Sequence, residues 1–171
     1  MALDYKVVDS VIEGLIVILP AMVANATPVL SKGKIPIDFN KKFIDGRRLL
    51  GDGKTWEGLI VGLTAGTITG LILALIMRES ILIEIGILAS LGAMIGDIIA
   101  SFIKRRLRLE RGEPAPILDQ LNFYIGAVIV LYIAGYRFTL AILLILAIIS
   151  GLLHILANIV AYKLKLKKVP W

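Results

Sequence analysis

Asp97 lies inside an apolar stretch, seven residues before Lys104. A carboxylate at such a depth is expensive unless it faces a protein interior or a water-filled cavity. Seven residues of helix span roughly 10 Å, which places Asp97 below the point where the chain turns basic. Ser101, Lys104 and Arg105 follow at four, seven and eight residues, so one helical edge presents a carboxylate, a hydroxyl and two cations. Beyond Lys104-Arg105-Arg106 and Arg111-Gly112 the block closes on Leu118-Asp119-Gln120-Leu121. Two carboxylates thus flank a basic connection. Hard divalent cations such as Mg²⁺ are held by one or two carboxylates plus substrate phosphates, and neighbouring Lys and Arg can neutralise a polyphosphate and the charge of a leaving group. A helix-fixing ion pair would account for Asp97 taken alone. The bias of cytoplasmic loops toward basic residues accounts for the lysines and arginines, but not for Asp97.

A second polar segment runs through Asp45-Gly46-Arg47-Arg48 and Gly51-Asp52-Gly53-Lys54-Thr55-Trp56-Glu57-Gly58. Glycines that let backbone approach an anion, beside Lys54 and Thr55, suit phosphate contact. The segment is not a P-loop, because Arg48 stands where that motif needs its first glycine. As a bland alternative it is a solvated interfacial turn anchored by Trp56. Asn25 with Pro28 breaks the first apolar run near its end, and His154 and Asn158 share a helical face four residues apart. Interhelical hydrogen bonding is the better reading for Asn25 and Asn158, and a satisfied packing role for His154, the only histidine. There is no zinc spacing and no nucleophile–base pair, and with no cysteine in the sequence, disulfides and thiolate chemistry are excluded.

The elements that must position these residues follow from composition. Of 171 residues, 58% are apolar and only 19% charged, too few polar groups to cover a soluble surface. Uncharged runs long enough to cross a bilayer as helices predict an all-α, polytopic membrane protein with a single membrane-embedded domain over 1–171. Its five spans fall at about 8–30, 58–77, 81–103, 121–136 and 138–162, joined by polar loops at 31–56 and 104–120. Those two loops and the tail carry 16 of the 19 basic residues, which puts them in the cytoplasm and the N-terminus outside. Split by side, the formal charge of +6 becomes a cytoplasmic +10 against −4 elsewhere, so nucleic acid drops out as a partner. The expected location is the cell membrane, with the active site facing the cytoplasm and membrane lipids as surroundings; a homodimer stays open. The first run is not expected to be a cleaved signal peptide, because no basic region precedes it and cleavage would export the basic loop. Gly58, Gly62, Gly66 and Gly70 recur every four residues, which predicts a groove for close helix packing, with a shorter version at Gly92 and Gly96.

Taken together, Ala24-Asn25, Pro36-Ile37-Asp38, the Gly51 to Gly58 segment, the Gly96-Asp97 to Asp119 block and a tail with His154, Asn158, Lys167 and Pro170-Trp171 resemble the archaeal CDP-archaeol synthases, relatives of the CDP-diacylglycerol synthases. Lys54-Thr55-Trp56-Glu57-Gly58 is similar to a matching segment of the bacterial relatives, and Gly96-Asp97, Ser101 and Lys104-Arg105 are similar to their membrane-to-cytoplasm signature. The resemblance implies a Mg²⁺-dependent cytidylyltransferase in which an isoprenoid ether-lipid phosphate, an unsaturated archaetidic acid, attacks the α-phosphorus of CTP. It implies Asp97 and Asp119 as metal ligands and, with Lys104, as the catalytic set. Arg105 would then contact phosphate groups, and Lys54 and Thr55 the nucleotide or phosphate side. Arg106, Arg111, Asp45, Asp52 and Asn25 complete the implied substrate-binding set. The chain departs from the bacterial pattern at Asn122, which stands where a second aspartate would follow Asp119.

A different class of protein, a small channel or transporter with a basic vestibule, would also explain polar groups inside spans. It gives no reason for two carboxylates to flank a cationic loop. The CDP-alcohol phosphotransferases are set aside because Asp45-Gly46 is followed by Arg47-Arg48-Leu49, without their alanine-arginine pair.

Overall fold

The computed structural model describes residues 7–110, 112–167 and 169. Its helices are α1 (Val11–Ala26), α2 (Trp56–Met77), α3 (Ile81–Arg106), α4 (Leu118–Ile133) and α5 (Leu140–Lys163), with one 3-10 turn at Thr27–Leu30 directly after α1. Three helix starts are set by hydroxyl caps. Ser10 accepts from the Glu13 N–H, Thr55 from Gly58 and Thr139 from Ile142, each satisfying one of the orphan donors of a first turn. The end of α2 is set by Arg78, whose left-handed φ of 59° turns the chain tightly into α3.

Four of these helices are long and apolar enough to cross a membrane: Val11–Leu30 with its 3-10 extension, Trp56–Met77, Ile81–Arg106 and Leu140–Lys163. α4 is a shorter apolar helix of 16 residues, about 24 Å long. It starts three residues before the expected 121 because Leu118 and Asp119 already belong to its first turn.

The all-α expectation needs one correction. β1 (Val7–Val8) and β2 (Arg137–Phe138) pair in parallel, with Val7 opposite Arg137 and Val8 opposite Phe138. The Thr139 N–H then donates to the Val8 carbonyl at 3.3 Å. Two-residue strands are too short to carry an alternating signal, so the turn at Arg137 gives no warning that it pairs with the segment just before α1.

α3 is the central helix and packs on α1, α2 and α4, while α5 lies against α1 and α4. The glycine stripe of α2 faces inward, with Gly58, Gly62, Gly66 and Gly70 all buried. The approach is closest where α3 crosses α4. A Cβ at Gly92 would lie 2.5 Å from the Gly126 carbonyl oxygen, and one at Gly126 would lie 2.9 Å from Gly96 Cα. Backbone meets backbone there, and this contact holds Asp97 of α3 beside the first turns of α4.

Candidate active site

The crossing of α3 and α4 and the Leu50 to Lys54 segment enclose a cavity of about 140 Å³. Asp97, Ser101, Lys104, Arg105, Asp119 and Asn122 line it, with Asp52 and Lys54 contributed by the loop. Asp97 and Asp119 are each matched to a lysine. Lys54 Nζ donates to Asp97 Oδ2 at 2.6 Å, and Lys104 Nζ reaches both oxygens of Asp119 at 3.0 Å. Lys104 also donates to the Glu113 carbonyl at 2.8 Å, and Asp119 Oδ2 accepts from the Ala115 N–H at 2.8 Å. Asp119 is therefore fixed at the start of α4 by a cation, a backbone amide and the favourable end of the helix dipole. Ile117, just before α4, adopts φ 70°, a costly conformation for a β-branched residue, in the turn that delivers Asp119 to the cavity.

Asn122 is buried, and its Oδ1 has no hydrogen-bond partner among the described residues. An orphaned amide oxygen beside two carboxylates is a donor set of hard oxygens, the kind a small divalent cation selects. Among the described residues no three His, Cys, Asp or Glu gather at one point, so a cation here would need oxygens from a bound ligand to complete its shell. The Nε of Arg105 is likewise buried without a partner, and its side chain lies against Gly51.

Of the other sequence candidates, Asp45, Thr55, Arg106 and Asn25 fall outside this lining. Arg106 is occupied with the loop: Nη1 donates to Asp45 Oδ1 at 2.7 Å, Nη2 donates to the Arg48 carbonyl at 2.6 Å, and the guanidinium lies over the edge-to-face pair of Phe43 and Phe102, 4.8 and 5.0 Å from their centroids. The pair clamps the loop onto the end of α3. Thr55 is the cap of α2, and Asp52 lines the cavity while accepting from Arg48 at 2.8 Å. Asn25 pairs with His154 across α1 and α5 at 3.0 Å. Arg111 lies outside the described residues.

Asp38 is the residue that sequence reasoning did not single out as a site. Its side chain is 0% exposed, although it lies in a charged loop. It accepts from Arg48 Nε and Nη2 at 3.1 and 2.7 Å, from the amides of Leu50 and Gly51 at 3.0 Å each, and from the Asn40 amide at 3.1 Å. Burial pushes this carboxyl up, but Arg48 and the three amides outweigh it and hold it well below the usual carboxylate range. The folded-state value lies below the unfolded one, so the contribution to stability is present above the unfolded pKa and is lost as pH falls below roughly 4. Hydrogen exchange should show this directly. Protection of the Leu50 and Gly51 amides should collapse in Asp38→Ala at neutral pH and decline in the wild type on acidification, and unchanged protection in the variant would remove Asp38 from its role as the hub of the loop.

Comparison with known proteins places the chain among related sequences. The CarS-like, CDP-archaeol synthase family model matches residues 7–171. The chain is 49% identical to a CDP-archaeol synthase of Aeropyrum pernix over 171 residues, covering 100% of this chain and 98% of that protein. It is also 49% identical to one of Methanopyrus kandleri over 160 residues, covering 93% of this chain and 92% of the other. A solved structure described as an intramembrane enzyme for archaeal membrane lipids biosynthesis superposes with a TM-score of 0.87 at 47% identity, covering 92% of this chain and 99% of that one.

Proposed function

The chain belongs to the CDP-archaeol synthase family, and from that premise we propose that it transfers CMP from CTP to the phosphate of an unsaturated archaetidic acid, 2,3-bis-O-geranylgeranylglycerol 1-phosphate, releasing pyrophosphate. The observation that carries the reading at the site is the cavity in which Asp97 and Asp119 are each matched to a lysine, beside Arg105 and the orphaned Asn122 oxygen. The channel reading offers no account of this arrangement.

The reaction requires an oxygen of the lipid phosphate to form a bond to the α-phosphorus of CTP while the bond to the β-phosphate bridging oxygen breaks. No side-chain nucleophile is needed, and the protein's work is positioning and charge stabilisation. Lys54, Lys104 and Arg105 supply positive charge to the polyphosphate. A lysine ammonium displaced from its carboxylate can follow negative charge onto the pyrophosphate as it leaves. Asp97, Asp119 and the Asn122 oxygen would hold Mg²⁺, which when bound supplies charge neutralisation across the phosphates. Asp38 and Arg48 fix the backbone of Leu50 and Gly51, and the Arg106 clamp keeps that loop over α3, so the wall of the cavity is formed before any ligand arrives.

We further read the chain as crossing the membrane five times, α4 included, with the N-terminus outside and the basic loops and tail in the cytoplasm. The same charge asymmetry that satisfies the positive-inside bias delivers Lys54, Lys104 and Arg105 to the side where CTP is found. The apolar helices then give the lipid co-substrate lateral access to a polar mouth.

Purified protein incubated with CTP, Mg²⁺ and the lipid phosphate should form a nucleotide-linked lipid, and chelation of the metal should stop it. Absence of product under conditions where a related synthase turns over would overturn the assignment.

A further inference from the structure

The polar loop between α1 and α2 carries a hairpin. The Phe43 N–H donates to the Arg47 carbonyl at 2.7 Å, Gly46 to Phe43 at 2.9 Å and Leu49 to Lys41 at 3.0 Å, with Gly46 closing the turn at φ 76°. Corners of such turns favour polar residues, glycine and proline. Here the corner is Ile44, 95% exposed, more than any other large apolar side chain among the described residues. Phe39 is 60% exposed as well, and it holds a left-handed φ of 45°, uncommon for an aromatic residue. Two exposed apolar side chains on a charged loop, one of them on a costly backbone, mark a contact surface.

Both lie at the level of the helix ends. The Phe39 ring packs on Trp56, the first residue of α2, with centroids 6.4 Å apart, and Trp56 and Ile60, one turn on, are exposed. Next to Ile44, Phe43 meets Phe102 edge-on at 5.3 Å. Phe102 precedes the end of α3 by four residues, roughly 6 Å of helix. On the same helix Ile95, Ile99 and Ile103 are exposed at four-residue spacing, and Phe102 lies beside this row, three residues from Ile99. On helices long and apolar enough to cross a membrane, an exposed apolar row faces lipid. The aromatic side chains of the loop therefore continue two lipid-facing rows, at the depth where aromatic residues collect along a membrane interface.

The charges of the loop are divided. Its three carboxylates are taken by arginines, Asp38 and Asp52 by Arg48 and Asp45 by Arg106. Lys32, Lys41 and Lys42 are exposed, and none of them forms an ion pair among the described residues. The loop thus leaves apolar points among ammonium groups that no carboxylate neutralises. A lysine stem packs along apolar surface while its ammonium reaches a headgroup phosphate, and basic residues beside a membrane are drawn to anionic lipid. Phe39 and Phe43 both rest on residues at helix ends, so a protein covering them would have to reach into the edge of the bilayer.

We propose that the segment 39–44 is an interfacial anchor: Phe39 and Ile44 enter the headgroup region of the surrounding bilayer, and Lys41 and Lys42 bind anionic headgroups beside them. The inference rests on α2 and α3 crossing the membrane and is independent of the transfer reaction. Its consequence for the cavity runs through Arg106, which grips the tip at Asp45 and Phe43 and the returning chain at the Arg48 carbonyl. Arg48 in turn holds Asp38, which fixes the amides of Leu50 and Gly51. Seating the tip in the bilayer steadies the Leu50 to Lys54 wall.

The sequence has no cysteine, so Ile44→Cys offers a single site for a nitroxide label, and Glu110→Cys, whose side chain is 76% exposed on the other loop, serves as the aqueous reference. The full chain is placed in nanodiscs of neutral lipid, or of neutral lipid with about one-third anionic lipid. Paramagnetic resonance then reads collision of the label with dissolved oxygen and with a water-soluble nickel chelate. The label at 44 should favour oxygen, roughly 5–10 Å into the boundary between headgroups and lipid chains, while the reference favours the chelate. Adding Lys41→Gln and Lys42→Gln should lower the ratio of immersed to free tip in the anionic discs by about tenfold and erase the difference between the two lipid compositions. A label at 44 as open to the chelate as the reference, or an immersed fraction indifferent to lipid charge and to both lysines, would overturn the anchor. So would a label shielded from both reagents, the signature of a protein surface over the tip.

Discussion

Asp97→Asn should lose CMP transfer by at least about 10³-fold while the protein stays folded. The substitution keeps the shape of the side chain and removes its charge, leaving Lys54 Nζ, now 2.6 Å from Asp97 Oδ2, beside a neutral amide. Two effects add. On the proposed reading a divalent cation would lose one of two carboxylates, and the ammonium would no longer have a counter-ion that fixes its position. Folding is protected because Asp97 is not fully buried and the side of α3 around it is held by glycine contacts rather than by this ion pair. Turnover should be measured together with the thermal unfolding midpoint in detergent. Wild-type turnover would return Asp97 to a packing role, and loss of both turnover and fold would show that the ion pair carries structure.

Gly126→Val should have the largest effect on stability. A Cβ at Gly126 would meet the Gly92 carbonyl oxygen and lie 2.9 Å from both the Cα and N of Gly96. These are backbone atoms of α3, which cannot rotate away as a flexible side chain could. Overpacking in a close-packed interior commonly costs 1–3 kcal/mol, and with backbone on both sides the expected cost is about 3 kcal/mol or more. α4 would have to move off α3, carrying Asp119 and Asn122 away from Asp97, so residual folded protein should also turn over slowly. A variant with wild-type thermal stability and turnover would show that the α3–α4 crossing is looser than described.

The parts of this molecule legible in the sequence are those with a local signature. Uncharged runs marked the apolar helices, the four-residue glycine spacing marked the packing face of α2, and a carboxylate at the wrong depth marked Asp97. The two carboxylates that the sequence paired across the basic connection do line one cavity, Asp119 bonded to Lys104 and Asp97 to Lys54. What stayed hidden depends on partners without a fixed offset. Asp38 gathers Arg48, Leu50 and Gly51 from ten to thirteen residues away along an irregular loop, and no periodicity announces such a hub. Asn122 reads as a weakened ligand in sequence, and only the cavity shows that its oxygen is buried and unmatched. Arg106 looks like its neighbours in a basic run, but its place on the helix turns it toward Phe43 and Asp45 rather than toward the cavity. Lys167 seems to belong to a solvated tail until the chain is seen folding back onto Asn158.

The central claim is that this cavity holds the triphosphate while a lipid phosphate attacks the α-phosphorus. It is tested most directly by supplying the purified protein with CTP labelled at the α-phosphorus and, in a parallel sample, at the γ-phosphorus. The account predicts α-label in the lipid product, γ-label only in pyrophosphate, and equal amounts of the two products. Label transferred from the γ-position to lipid, or lipid product without pyrophosphate, would contradict it.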